Sequence, residues 1–329
     1  MLPLLKFLEQ FAYLTKHRPS LHLRLCYVAI IDKGLCHRDY SPIEFDTALE
    51  TLESTGFEPP QIPQIVGYLS ASPRKVIVAD NTRSQAIASA YPLFLRNIFS
   101  AADSAGSFVY HESSVGAGMP IISTLHDLIQ TGDRVTRIEG VFSGTLSYLF
   151  NSFAPLKGEG GKWSTEIKKA KELGYTEPDP RDDLNGMDVA RKLTILGRLA
   201  GLPIESTTSF PVQSLIPAEL QNVASSAEFL DRHPEFDSRM DEERSAASKE
   251  NKVVRFVGSV DLTTKQVSVG LKWFDRSHPI AGLKGSDNVI SFYTKHYGAL
   301  PLTIQGAGAG GDVAAMGVTG DLLKIVSQF

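Results

Sequence analysis

Cysteine is nearly missing from this chain of 329 residues, with only Cys26 and Cys36 present. Two thiols without a Cys/His cluster make neither a disulfide framework nor a zinc site, and they fit a reducing compartment. Long apolar runs are missing as well. None reaches the roughly eighteen residues that a membrane span needs. Charge of one sign is not concentrated anywhere: 33 Lys and Arg face 37 Asp and Glu, for a net charge of −4. Without a basic stripe, nucleic acid and anionic membrane are not expected partners. The apolar opening, Met1–Leu14, carries Lys6 and Glu9 and lacks a small-residue cleavage site. It reads as an amphipathic helix rather than a targeting segment, so a cytoplasmic location is expected.

What is present suits a globular enzyme-sized protein. The length allows two cores, and the hydrophobic content of 42% is ordinary for a folded chain. Leu21–Ile31, Lys75–Ala79 and Phe108–Tyr110 read as buried strands, with helical spacing between Ser84 and Leu95. That succession is the order of a doubly wound α/β domain. Further on, Ile121–Thr131 reads as a helix, Arg134–Phe142 as a strand, and Ser143-Gly144-Thr145 as a turn into a helix ending at Phe153. Ser164 or Thr165 is expected to cap a helix over Glu166–Leu173, and Glu219–Lys252 has helical spacing. Val253–Val260, Gln266–Trp273 and Asn288–Tyr293 read as strands of a second sheet, followed by a last helix, Val313–Val326.

The densest chemistry lies in Gly174–Lys192. It holds Glu177, Asp179, Asp182, Asp183 and Asp188, with Pro178 and Pro180 keeping its first half extended. After Asn185-Gly186 the pattern turns helical, which puts Asp188 and Lys192 four apart on one face. An acidic loop feeding such a pair could hold a small amino-acid-like molecule. A solvated loop followed by a surface ion pair explains the same residues equally well. Other stretches are similarly open. Gly306-Ala-Gly-Ala-Gly310 suits either a phosphate cradle or a tight turn. In Val115-Gly-Ala-Gly-Met-Pro120 the proline has no N–H for a phosphate, which leaves carbonyls facing a cation as an alternative. Ser143-Gly144-Thr145 is a plain helix cap or a carboxylate site. The eight histidines show no ligand spacing.

The block Tyr175-Thr-Glu-Pro-Asp-Pro-Arg-Asp-Asp-Leu-Asn-Gly186, with Glu139–Leu149, Glu112–Pro120, Lys284–Ile290 and the Gly-rich C-terminus, resembles homoserine dehydrogenase of the fungal type. The resemblance runs from about Leu21 to Phe329. It implies NAD- or NADP-dependent interconversion of L-homoserine and L-aspartate 4-semialdehyde, on the way to threonine, methionine and isoleucine. It further implies that Lys192 and Asp188 are the catalytic pair and that Glu177, Asp183, Tyr175, Gly144 and Thr145 bind substrate. Thr82 and Gly310 would contact the cofactor. The carbonyls of Glu112, Val115, Ala117 and Met119 would hold a sodium ion, and the chain would form a homodimer. The implied fold is α/β. An incomplete Rossmann-like nucleotide domain over residues 1–113 and 308–329 would accompany an α+β dimerisation and substrate domain over 114–307, with a mixed sheet. No C-terminal regulatory domain is expected.

Two departures from the family pattern concern the nucleotide half. Phe7-Leu-Glu-Gln-Phe11 resembles the helix that follows the family's Gly-x-Gly-x-x-Gly loop, so the loop and its strand are not expected in this domain. Between Asn97 and Phe108, Ile98–Ser107 stands where the family carries a strand and a Thr-Pro-Asn-Lys-Lys loop. An incomplete gene model, or a remnant that only dimerises, is the alternative reading. Asp32 leans toward NAD, although the loop that frames that choice is incomplete. Loss of the pyrophosphate's N–H donors predicts weak nucleotide binding or none. Isothermal titration with NADPH measures it, and a micromolar constant would overturn the expectation.

Overall fold

The computed structural model describes residues 2–60, 62–80, 100, 102 and 104–328. Contacts divide the chain into two compact units, Met1–Arg83 with Gly310–Phe329, and Ser84–Ala309.

The first unit opens with helix α1, Leu2–His17, and contains a two-stranded antiparallel ribbon, β1 Tyr27–Ala29 and β2 Gly34–Cys36. Helices α2, Ala48–Thr55, and α3, Ile62–Ser70, follow, and the C-terminal helix Gly311–Val326 completes the unit. Phe7 and Phe11 of α1 bury against Ala315 and Leu322 of the C-terminal helix. Leu8, Val28, Leu35, Ile43, Ala48 and Leu52 form a second small core.

The strands expected here shrink or vanish. Leu21–Ile31 is a strand only over Tyr27–Ala29, and neither Lys75–Ala79 nor Phe108–Tyr110 is one. A β-branched run becomes a strand only where a neighbouring backbone pairs with it in a ladder, so composition alone does not decide the matter. The helix expected from Ser84 to Leu95 falls outside the described residues.

The second unit is larger; four of its strands fall where expected, a fifth, Leu302–Ala307, was not among the expected ones, and Glu219–Lys252 breaks into shorter helices. Helix α4, Ile121–Gln130, leads to strand β3, Val135–Val141, then to α5, Gly144–Phe153, and α6, Trp163–Glu172. A single turn, α7 Arg181–Leu184, precedes α8, Met187–Leu199; α9, Ser226–Arg232, and α10, Asp237–Lys249, follow. Strands β4 Lys252–Asp261, β5 Gln266–Asp275, β6 Asp287–Thr294 and β7 Leu302–Ala307 join β3 in one sheet of order β5-β4-β3-β6-β7. Among the described residues every ladder is antiparallel, and the parallel element expected of a mixed sheet is an isolated bridge, Val212 to Val269. One sheet face packs on the helices through Ile138, Val254, Phe256, Val260, Ile290 and Phe292. The other carries Val141, Val253, Val257, Phe274 and Val289 beneath Ile280–Leu283.

Buried polar groups set how these layers join. Helix α6 begins at Trp163, ahead of the expected start, and Ser164 does not cap it. Asp237 takes that place: its carboxylate accepts Ser164 N at 2.8 Å and Ser164 Oγ at 2.7 Å. A distant carboxylate thus satisfies an N–H that a local cap would otherwise have served. Arg255 on β4 is 1% exposed and has no ion pair with a carboxylate among the described residues. Its Nη1 donates to Phe150 O, Ala154 O and Val254 O, and its Nη2 donates to Ala281 O. Burial and the neighbouring Arg276 push its pKa down to about 10. The guanidinium sits at the negative end of α5 and pins that helix to the sheet. Arg255→Leu strands several buried carbonyls and is expected to cost about 3 kcal/mol in chemical denaturation. A loss under about 1 kcal/mol would mean that water replaces the guanidinium there.

Candidate functional site

Three segments of the second unit meet around the first turn of α5. Ser143 caps that helix, its Oγ accepting Leu146 N at 3.2 Å, which leaves the N–H groups of Gly144 and Thr145 without a hydrogen bond among the described residues. An added Cβ on Gly144 would lie 3.4 Å from Ser286 O and 3.9 Å from Ala309 Cβ. The start of α5 therefore abuts both the Lys284–Asp287 segment and the Gly-rich turn after β7.

The acidic loop is the second segment. Thr145 Oγ1 lies 2.6 Å from Tyr175 O and 2.9 Å from Asp183 Oδ1, while Asp183 Oδ2 accepts Glu177 N at 2.8 Å. The Tyr175 ring stacks on Tyr148 with centroids 4.5 Å apart. Asp179 grips Arg181 in the same loop, and Arg181 donates to Val223 O at 2.8 Å, so the Arg181 guanidinium holds the Asp179 carboxyl below the usual carboxylate range. The loop's shape is thus fixed at both ends.

The third segment is the start of α8. Asn185 Oδ1 accepts Met187 N at 2.8 Å, and Gly186 takes φ +74°. A Cβ at Gly186 would press on Val212, Phe256 and Gln213 O at 3.1 to 3.2 Å. Only glycine suits both the left-handed backbone and that contact. The helix then buries Val189, Ala190, Leu193 and Leu196, which fixes where Asp188 and Lys192 emerge. Lys192 Nζ bonds Asp188 Oδ2 at 2.8 Å and donates to Phe142 O at 2.8 Å, one residue before the α5 cap. Two of the three ammonium hydrogens are thereby engaged, leaving one for a ligand.

Charge decides the state of Asp183. Burial pushes its pKa up to about 6; the Glu177 N–H and the Thr145 hydroxyl pull it down, and the charges of Glu177 and Asp188 push it up again. Three carboxylates are therefore close enough to repel one another. A hydroxyl has one hydrogen, so Thr145 gives it either to Tyr175 O or to Asp183 Oδ1, and the second choice is the one that favours the ionised carboxylate.

The sequence candidates consequently fall into groups. Lys192, Asp188, Glu177, Asp183, Tyr175, Gly144 and Thr145 come together. Glu112 is 6% exposed, and its carboxylate caps α4 through Ile122 N at 2.7 Å and Ser123 N at 3.1 Å. Its carbonyl accepts Val115 N, and Met119 O accepts Ile121 N. The carbonyls of buried Val115 and Ala117 accept no backbone hydrogen bond among the described residues, and Gly116 and Ala117 lie at φ +80° and +54°. Freed oxygens on a tightly turned backbone fit a hard cation. No cluster of three His, Cys, Asp or Glu side chains suited to a metal occurs among the described residues. Gly310, φ +118°, belongs to the first unit and starts its C-terminal helix. Thr82 lies outside the described residues. Sequence reasoning missed Ser286, Asn288 and Ala309. Asn288 read only as a strand residue, and the Lys284–Ile290 block was its one signal.

The family model for homoserine dehydrogenase matches residues 120–323. A homoserine dehydrogenase of Emericella nidulans is 56% identical over 321 residues, which span 88% of this chain and 87% of that protein. The chain belongs to the homoserine dehydrogenase family. Homoserine dehydrogenases are oxidoreductases, and neither the family match nor the relatives favour a remnant that only dimerises. A Candida auris protein of unknown function shares the fold at a TM-score of 0.90 and 40% identity, over 100% of this chain and 96% of that one. A hyperthermophilic archaeal homoserine dehydrogenase solved in complex with NADPH shares it at 0.69 and 20% identity, over 98% and 94%.

Asp183 binds its proton more tightly in the folded chain than in the unfolded one. Its contribution to stability is fully present below about pH 4, the unfolded carboxyl range, and is lost as pH rises through about 6. Asp183→Asn, neutral throughout, should gain relative to the wild type across that window and hold a constant difference above it. Denaturation at several pH values measures this, and a difference that stays flat from pH 4 to 6 would contradict the burial of this carboxyl.

Proposed function

We propose that the cluster around the α5 start carries out the homoserine dehydrogenase reaction, interconverting L-homoserine and L-aspartate 4-semialdehyde. Lys192 and Asp188 act as the proton-transfer pair. The observation that supports this best is the placement of Lys192 Nζ, held by Asp188 and by Phe142 O immediately before the α5 cap. The amino-acid end of the substrate suits the surrounding groups: its carboxylate meets the free N–H groups of Gly144 and Thr145, and its ammonium meets Glu177 and Asp183, beside Tyr175. The side-chain oxygen then falls to the remaining Nζ hydrogen. In the reducing direction Lys192 gives a proton to the aldehyde oxygen, and in the oxidising direction the pair takes the hydroxyl proton, directly or through one water. Asp188 keeps the ammonium in place through both.

A nicotinamide dinucleotide, NADP or NAD, supplies the hydride acceptor or donor when bound; NADPH in the archaeal family member's complex supports this class of cofactor. The Gly306–Gly310 turn would hold part of it: the backbone is open at Gly310, where a Cβ would meet nothing within 4 Å, and Ala309 lies beside Gly144. Thr82 is the other proposed contact. The carbonyls of Val115 and Ala117, with those of Glu112 and Met119, would hold a sodium ion, which fixes the loop beside Gly306; a Cβ there would lie 3.4 Å from Met119 Sδ. A homodimer would use the sheet face away from the helices. There Lys272 pairs with Glu139, only 3% exposed, and Arg137 lies 3.9 Å above the Tyr293 ring. The residues up to 113 with 308–329 would serve the nucleotide and 114–307 the substrate. Among the described residues no helix is long and apolar enough to cross a membrane.

Lys192→Ala and Asp188→Asn should each lower kcat by about 10² to 10⁴-fold, with the NADPH dissociation constant unchanged. Absorbance of reduced nucleotide in steady state gives kcat, and equilibrium titration gives the constant. A Lys192→Ala enzyme within threefold of wild-type kcat would remove Lys192 from the chemistry.

A further inference from the structure

Asn288, on β6, is fully buried, and neither Nδ2 nor Oδ1 has a hydrogen-bond partner among the described residues. A carboxamide offers two donors and two acceptor lone pairs, and burying all of them unpaired is costly. The side chain is aimed at the Gly-rich turn. A Cβ on Gly308 would lie 2.1 Å from Asn288 Nδ2 and 2.4 Å from its Cγ, and Asn288 pairs in register with Gly306 across β6 and β7. Glycine at 308 is therefore required by the carboxamide, not by its own backbone angle. The same short segment reaches the substrate side, because Ser286 O and Ala309 Cβ both border Gly144, and Ser147 Oγ donates to Asp287 O at 2.6 Å.

We propose that Asn288 is a positioning residue for the pyridine nucleotide, acting through Gly308. When the nucleotide settles on the Gly306–Ala309 turn, the peptide groups of the turn rotate to face it. Their other sides then take up the Asn288 carboxamide. Pairing fixes the turn against the start of α5 and so sets the distance from nucleotide to substrate. The cost of the unpaired carboxamide is relieved only in the bound arrangement, which couples nucleotide affinity to this side chain. The inference rests on the dehydrogenase reading above.

The test uses the full chain, with NADPH titrated calorimetrically and steady-state constants measured for both substrates. Asn288→Ala is expected to raise the NADPH dissociation constant and KM by about tenfold, with KM for L-homoserine within twofold of wild type. Gly308→Ala should weaken NADPH similarly, because its methyl meets the carboxamide. The double variant should bind better than Gly308→Ala alone, since removing the carboxamide makes room. Asn288→Asp keeps the volume but loses the Nδ2 donors, and should also weaken NADPH; it decides the matter if Asn288→Ala does not fold. A melting temperature lowered with NADPH affinity unchanged would overturn the proposal and leave Asn288 a packing residue. So would equal losses for NADPH and L-homoserine. Because the sequence predicts weak nucleotide binding, the comparison is made at up to millimolar NADPH; a wild-type chain that neither binds nor turns over there ends the dehydrogenase reading and this proposal with it.

Discussion

The Asp183 carboxylate, held between Thr145 Oγ1 and Glu177 N, is the contact on which the site depends. Together with Tyr175, whose carbonyl accepts from Thr145 and whose ring stacks on Tyr148, it ties the acidic loop to α5. The two prolines stiffen the loop but do not aim it, since a stiff loop can point anywhere. Asp183 supplies the aim, and it does so with a charge that burial and two neighbouring carboxylates oppose. Like charges therefore crowd this loop, and in the proposed reading an ammonium group placed among them relieves that repulsion.

The same economy runs through the second unit, where buried charged groups join elements that hydrophobic packing alone would leave free to slide. Arg255 gathers carbonyls from α5 and from the Ile280–Leu283 segment, Asp237 caps α6 from α10, and Glu112 caps α4. What these three share is contact with backbone groups. Each satisfies backbone groups at a helix end, where four N–H or C=O groups lack partners within the helix. Apolar contacts between Val, Ile and Leu side chains tolerate small shifts; a carboxylate spanning two N–H groups does not. The geometry at Gly144 and Lys192 inherits its precision from these fixtures.

Much of this was readable in the amino-acid order. Prolines 178 and 180, the Asn185-Gly186 corner and the four-residue spacing of Asp188 and Lys192 are local signals, and local signals suffice for a loop and the helix after it. The strands of the second unit were legible for the same reason: alternation and β-branching coincide with real ladder partners. The nucleotide half shows the limit. Lys75–Ala79 has the composition of a strand, yet composition cannot report whether a neighbour exists to pair with it. Ser164 looked like a cap until a carboxylate from Asp237 displaced it. Thr145 and Asp183 lie 38 positions apart, and Asn288 meets Gly308 only across a ladder. Such contacts follow from tertiary packing and leave no periodicity behind.

One consequence concerns direction. A zwitterionic amino acid brings a negative and a positive end, and the site offers the complementary pair at fixed places: free N–H groups at the start of α5, and carboxylates in the loop that Asp183 ties to the same turn. Reversing the molecule would set carboxylate against carboxylate, which is unfavourable. In the proposed reading, charge therefore orients the substrate before any chemistry. On the proposed mechanism, Lys192, tethered to Phe142 O one residue before the cap, is the cation that the reactive end of a correctly oriented substrate meets. In the proposed reading, discrimination among amino acids then reduces to length. A side chain too short leaves the free Nζ hydrogen unmet, and one too long collides with the start of α5. That is a geometric filter, set by backbone positions that the buried polar fixtures hold still.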